Sequence, residues 1–259
     1  MRDLTFSPLD DSRRWRFDWL PSLLFRPRRA LAQIAAAETA VWQTPIALLA
    51  VTALIRALVA GGIRQAAAAM GQMQLPPGWE YYTPEQQAQF QQAMSATSGP
   101  VFVYLLPAVM AVLGVVLGWL VLGWVLHLLL TLFGGRGSSQ QALNVVAWAL
   151  LPAAIRDVVR IVAMWNSGQL LGSLGLSGFA PDGEGTLAVL LVALLALVDL
   201  YLLWQIGLLA LGARLAANVS RVKAWSAVLI TMILILALRV APALLAAQFG
   251  DLTVIRPFF

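Results

Sequence analysis

From Pro100 to Phe133 the chain contains no Asp, Glu, Lys or Arg. That run exceeds the roughly 20 residues needed to cross a hydrocarbon core of about 30 Å, so it must be buried either in protein or in lipid. Composition decides between the two. Of 259 residues 60% are hydrophobic and 11% charged, and the mean hydropathy is +0.80; soluble domains hold roughly 45–50% apolar and about 25% charged residues. No soluble core of this size hides so much apolar surface, so lipid must cover it.

Five segments are long and apolar enough to be read as spans: residues 44–62, 100–133, 142–165, 186–211 and 224–247. The second is longer than one crossing needs and should tilt or project. The third, with Pro152, Arg156, Asp157 and Arg160, is the least hydrophobic. The fold class expected is therefore all-α, a polytopic helical bundle of about five transmembrane helices. It divides into an interfacial segment at 1–43, a transmembrane domain at 44–248 with an external loop at 65–99, and a tail at 249–259. Nothing is left over for a separate soluble enzyme domain.

Charge sets an orientation. All but one of the 17 basic residues are arginine, clustered at the expected membrane edges, so the net charge of +5 reads as topology rather than nucleic-acid binding. Residues 1–43 carry Arg2, Arg13, Arg14, Arg16, Arg26, Arg28 and Arg29, whereas 65–99 and 166–185 carry no Lys or Arg. The second connection has Arg136 and the fourth has Arg214, Arg221 and Lys223; Arg64 and Arg256 are single exceptions. The bias places the N-terminus in the cytoplasm and the C-terminus outside, in the cell membrane. The first twenty residues mix arginines and aspartates without a seven-residue apolar run, so no cleavable signal peptide is expected.

Two segments should lie along or outside the bilayer. Trp15, Phe17, Trp19, Leu23, Leu24 and Phe25 sit among Arg13, Arg14, Arg16, Arg26, Arg28 and Arg29, and residues 27–38 read as a short amphipathic helix with Pro at its start. This places aromatic rings at the headgroup level and guanidinium groups on anionic lipid. In the external loop, Thr83-Pro84-Glu85-Gln86 resembles a capping box, and a polar helix should follow to about Ala96.

The charges inside the spans need a physical account. Counting about 1.5 Å per residue from the cytoplasmic ends, Arg56 and Asp199 lie roughly 18 Å deep, and Arg156, Asp157 and Arg239 about 21–23 Å deep. A lone charge there costs at least about 2.5–3.5 kcal/mol, so these groups should face the bundle interior and pair. The simplest pairing joins Asp157 to Arg160 along one helix and Asp199 to Arg239 or Arg56 between helices. The layer serves packing and assembly, an anionic guest or partner, or a proton path; its surplus of arginine favours an anion over a cation.

Catalytic readings fare poorly. An aspartyl protease needs two carboxylates sharing a proton away from cations, yet Arg156 and Arg160 flank Asp157 and no Gly-x-Gly-Asp motif is present. The single histidine, His127, excludes the usual zinc motif, and cysteine is absent. No phosphate-binding loop or dinucleotide fingerprint occurs, so neither nucleotide nor other cofactor is implied. His127 is read as structural. Gly114-x-x-x-Gly118 is a weak signal for close helix approach, and the tryptophans read as interface belts.

Three stretches carry a resemblance: LPSLLFRPRRALAQI before the first span, AWALLPAAIRDVV with Pro152, and YLLWQIGLLALGARLAANVSRVKAWSAVLI with Trp204, Leu208, Gly212 and the turn from Ser220 to Ala224. Together with the span plan they resemble the Yip (Ypt-interacting protein) domain family in its prokaryotic branch, over most of residues 20–247. The resemblance implies a multi-pass scaffold acting through partners or a homo-oligomer, with no catalytic residues to transfer. Eukaryotic relatives are associated with Rab GTPases through long cytoplasmic N-termini. With about 43 residues before the first span, this chain departs from that pattern, and GTPase binding is not carried over. Some bacterial members are associated with ABC-type transporters, the closer analogy. The rival reading is a channel or carrier using the Arg/Asp layer as an ion or anion path.

Overall fold

The computed structural model describes residues 15–70, 79–180 and 185–252, and every long element in them is a helix. In order these are α1 (Trp19–Phe25), α2 (Pro27–Ala36), α3 (Gln43–Ala69), α4 (Pro84–Thr97), α5 (Leu106–Leu132, preceded by a π-helical turn at Val101–Leu105), α6 (Ser139–Ala149), α7 (Leu151–Ser167), α8 (Thr186–Leu197), α9 (Leu200–Ala217) and α10 (Arg221–Leu252). They form two compact units. The first is drawn from Met1–Ala47, Trp119–Leu151 and Leu203–Arg239, the second from Leu48–Gly118, Pro152–Leu202 and Val240–Phe259. Arg13, Arg14 and the tail beyond residue 252 fall outside the described residues.

Among the described residues four helical stretches are long and apolar enough to cross a membrane: Gln43–Ala69, Val101–Leu132, Leu200–Ala217 and Arg221–Leu245. This differs from the five unbroken segments read in the sequence, for local reasons. The third segment is two helices that meet at Leu150. Pro152 has no N–H to give the carbonyl four residues back, and its ring crowds that carbonyl. The fourth segment is interrupted at Val198, whose backbone is extended, leaving α8 with 12 residues.

Lipid exposure shows in which side chains face outward. On α5 and the turn before it, Phe102, Leu105, Val109, Leu113, Leu117, Val121, Trp124, Leu128 and Leu132 are exposed at steps of three and four, while Trp119, Leu122, Leu126 and Leu130 are buried. Helix α7 is amphipathic in the inverted sense: Asp157 is buried, and Val158, Val159, Val162 and Trp165 are exposed. A soluble protein hides its apolar stripe; this one presents it, as a bilayer-embedded chain does.

The first unit has a dense core of Leu23, Leu31, Ile34, Leu126, Val145, Trp148, Leu209 and Val228. Pro at the start of α2 suits a position whose N–H would be unpaired in any case, and α2 packs on α1 and α6. The link from Ala37 to Trp42 is not helical, so its backbone polar groups need other partners. Asn144, fully buried, supplies them: its Oδ1 accepts from Val41 N at 3.1 Å and its Nδ2 donates to Thr39 O at 2.8 Å. Trp148 Nε1 donates to Val41 O at 2.9 Å. Trp119 Nε1 donates to Leu143 O at 2.9 Å, and its ring packs on Trp42 with centroids 4.7 Å apart. Gly212 is required here, because a Cβ on it would collide with Val145.

In the second unit, Pro107 cannot donate to the Val103 carbonyl, and Gly61 packs directly on that carbonyl and the Tyr104 ring. The Tyr104 hydroxyl donates to Gln65. Helix α4 begins with the capping box that the sequence predicts, Thr83 and Gln86 each accepting from the other's backbone N–H.

Replacing Asn144 with Leu strands the buried Val41 N–H and removes the donor to the Thr39 carbonyl. The loss should be about 2 kcal/mol or more, measured as a lower unfolding midpoint in mild detergent. Gln140→Ala removes a single partner of Asn144 at 3.2 Å and should cost clearly less.

Candidate functional site

The charged residues of the second unit meet around the interruption between α8 and α9. Val198 leaves the helical conformation and Asp199 follows it. Asp199 Oδ1 accepts from Leu202 N at 2.8 Å, which makes Asp199 the N-cap of α9. Its Oδ2 faces α7, where Arg156 Nη1 donates at 3.3 Å and Arg160 Nη2 stands at 3.7 Å. One carboxylate therefore caps a helix with one oxygen and binds two guanidinium groups with the other.

The freed carbonyls at the break are also occupied. Leu176 N donates to Leu195 O at 2.9 Å and to Val198 O at 3.0 Å. Gly175 has φ +55, and a Cβ there would lie within 2.9 Å of three carbonyls of this stretch. Only glycine takes that conformation at that approach without strain.

Asp157, one residue from Arg156, turns to the other side and pairs with Arg56 of α3, Nε to Oδ1 at 3.1 Å. The contact is an ion pair whose N–H is not aligned on the oxygen, so Arg56 Nε has no hydrogen-bond acceptor among the described residues. Arg156 Nε is likewise buried without an acceptor. The two carboxylates are mostly buried, at 10% and 13% side-chain exposure, while Arg56 is 37% exposed.

The pairing differs from the simplest one the sequence offers. Asp157 is held by Arg56 rather than by Arg160, and Asp199 by Arg156 and Arg160 rather than by Arg239 or Arg56. Spacing along one helix favoured Asp157 with Arg160, but the carboxylate of Asp199 arrives from another segment and takes Arg160. Arg239 is exposed on α10 and belongs to the first unit.

The N-terminal set divides. Trp15 and Phe17 are exposed and stacked 6.0 Å apart, and Arg26, Arg28 and Arg29 are exposed. Arg16 and Trp19, expected at the headgroup level, are instead core residues at 7% and 5% exposure. Arg16 donates its backbone N–H to Thr44 Oγ1 at 2.8 Å and lays its guanidinium 5.0 Å over the Trp19 ring, which packs on Trp148. No local pattern signals this inward turn, because a Trp among arginines reads equally as an interface anchor.

His127 stands edge-on to Trp124, 6.5 Å between centroids. Among the described residues no three His, Cys, Asp or Glu side chains cluster to hold a metal. What the cluster offers chemically is two acids, each committed to arginine, which is a poor arrangement for general acid or nucleophilic work.

Asn is as good an N-cap as Asp, whereas Ala is not. Asp199→Asn should therefore lose only the ionic part of this contact, leaving Arg156 and Arg160 buried without a counter-charge, and Asp199→Ala should lose about 1 kcal/mol more. Thermal unfolding of the two variants in one detergent checks the order.

Neither curated proteins nor solved structures yield a match to the chain. The Yip1 domain profile does, over residues 22–241, which takes in α2 to α9 and most of α10. With apolar helices fit to cross the bilayer and a family match over most of its length, the chain is a multi-pass membrane protein that belongs to the Yip1 domain family.

Proposed function

We propose that this chain is a non-enzymatic scaffold or partner-binding protein of the cell membrane, an accessory to a transporter or to membrane organisation, with its N-terminus in the cytoplasm. The observation that carries the proposal is the pairing of Asp157 and Asp199 with Arg56, Arg156 and Arg160 inside one compact unit. Buried carboxylates matched in this way hold helices together, and unmatched ones would be the sign of a proton or cation path. The arginine-rich connections and the Lys- and Arg-free residues 65–99 support the orientation.

One observation favours a second reading. The charges gather at a broken apolar helix, and Arg156 Nε lacks an acceptor, a combination that transporters use at substrate sites. Anion flux into proteoliposomes, lost in Arg156→Gln, would support that reading; no flux above empty vesicles supports the scaffold.

Two outcomes follow from the scaffold reading. Tagged protein taken gently from its native membrane should return with a second membrane protein or as an oligomer, and Asp199→Asn should reduce that yield; a lone monomer from intact native membrane patches would count against it. Because the chain has no cysteine, orientation can be read from single cysteines. Gln91→Cys on α4 should react with a membrane-impermeant maleimide in intact cells, and Val222→Cys, exposed at the start of α10, only after permeabilisation.

A further inference from the structure

The hairpin between α9 and α10 carries a hollow that neither the charge cluster nor the family assignment uses. Asn218, at φ +51, ends α9 in the left-handed conformation common at helix C-termini. Ser220 starts α10, accepting from Ala224 N at 3.0 Å through its carbonyl. The tight turn brings Arg214 in the last turn of α9 to the same end as Arg221 in the first turn of α10, and Arg28 of α2 joins them. These three arginines line a hollow of about 650 Å³ with Trp225, while Gly207, Ala210 and Leu211 form its apolar wall.

Three features define what fits. No acidic residue lines the hollow, and among the described residues none of the three arginines has an ion pair or hydrogen-bond partner. The neighbouring Lys223 is already engaged, donating to Phe133 O at 2.8 Å. The site is also two-ended: Gly207 and Arg214 are seven residues apart on one helix, about 10 Å along its axis. Finally, the turn lies between two membrane-crossing stretches, Leu200–Ala217 and Arg221–Leu245, so the arginines sit where both leave the apolar layer.

We propose that this hollow binds one anionic phospholipid, its phosphate diester held by Arg28, Arg214 and Arg221 and the upper part of an acyl chain laid along Gly207 and Leu211. Guanidinium groups bind phosphate oxygens strongly and in pairs of parallel hydrogen bonds. The volume is within the range of small-molecule sites and holds a headgroup and the first methylenes, with the remaining tail in the bilayer. Gly207 is the position where the chain needs room: a Cβ there meets nothing within 4 Å, so its small size serves open space rather than helix contact. The site is independent of whether the protein is a scaffold or a carrier.

Native mass spectrometry from mild detergent tests this with phosphatidylglycerol, phosphatidylcholine and soluble glycerol phosphate as probes. The wild type should retain one phosphatidylglycerol in preference to phosphatidylcholine, and glycerol phosphate should not displace it. Gly207→Leu fills the apolar wall without touching charge and should reduce retention, while Gly207→Ala should not. Arg214→Gln and Arg221→Gln should each weaken retention about fivefold, and Arg136→Gln, an equal loss of charge outside the hollow, should leave it unchanged. Equal retention of phosphatidylcholine, displacement by glycerol phosphate, or wild-type retention by a folded Gly207→Leu protein would each overturn the proposal. Helical circular dichroism of every variant separates loss of the site from loss of the fold.

Discussion

A backbone in hydrocarbon has no water to satisfy it, so wherever a helix stops inside the apolar layer some other group must take the place of the missing hydrogen bond. Much of this structure follows from that requirement. Within the spans the start of α9 is held by Asp199 and the carbonyls ending α8 by the amide of Leu176, and at the membrane edge, where water is scarce, Asn144 and Trp148 hold the extended link after α2 and the ammonium of Lys223 the end of α5. The polar side chains at these places are few in a chain with 11% charged residues, and each is positioned by the main-chain group it satisfies. Packing then follows: Asn144 fixes α6 against the link, and α1 and α2 close over it.

The ion pairs have the same character. Arg156 and Arg160 are one turn apart on α7, and Asp199 binds both; Asp157 lies between them in sequence but faces Arg56. Asp199 lies beside the interruption at Val198, so at that residue charge pairing and helix ending are parts of one device. Helices fixed in this way present a surface of defined shape, and such a surface costs less ordering on any binding event.

Local chemistry made some of the fold legible in the sequence. Long, predominantly apolar runs marked α3, α5 and α10, Pro27 marked the start of α2, and Thr83 with Gln86 marked the start of α4, because each signal acts within a few residues. The break at Val198 was not legible: neither Pro nor Gly marks it, and Asp199 reads as a charge placed within a span rather than as the cap that starts a new one. Pro152 was visible, yet whether a proline kinks a helix or divides it depends on what receives the freed groups. The pairing of charges was missed for a similar reason, since spacing ranks neighbours on one helix and says nothing of a carboxylate delivered from another. The inward turn of Arg16 and Trp19 depends on Trp148 and Thr44, which are distant in sequence, so no local pattern announces it.

Asp199 has a mechanical consequence. Its Oδ2 ties the start of α9 to two successive turns of α7, so it works as a pawl: the start of α9 cannot slide along α7 by a fraction of a turn while keeping both guanidinium groups, whereas the cap made by Oδ1 is internal to α9 and travels with it. To move, it must release both guanidinium groups together. Displacement of these two segments therefore starts only past a barrier, and the seated position is a latch rather than one point in a continuous range.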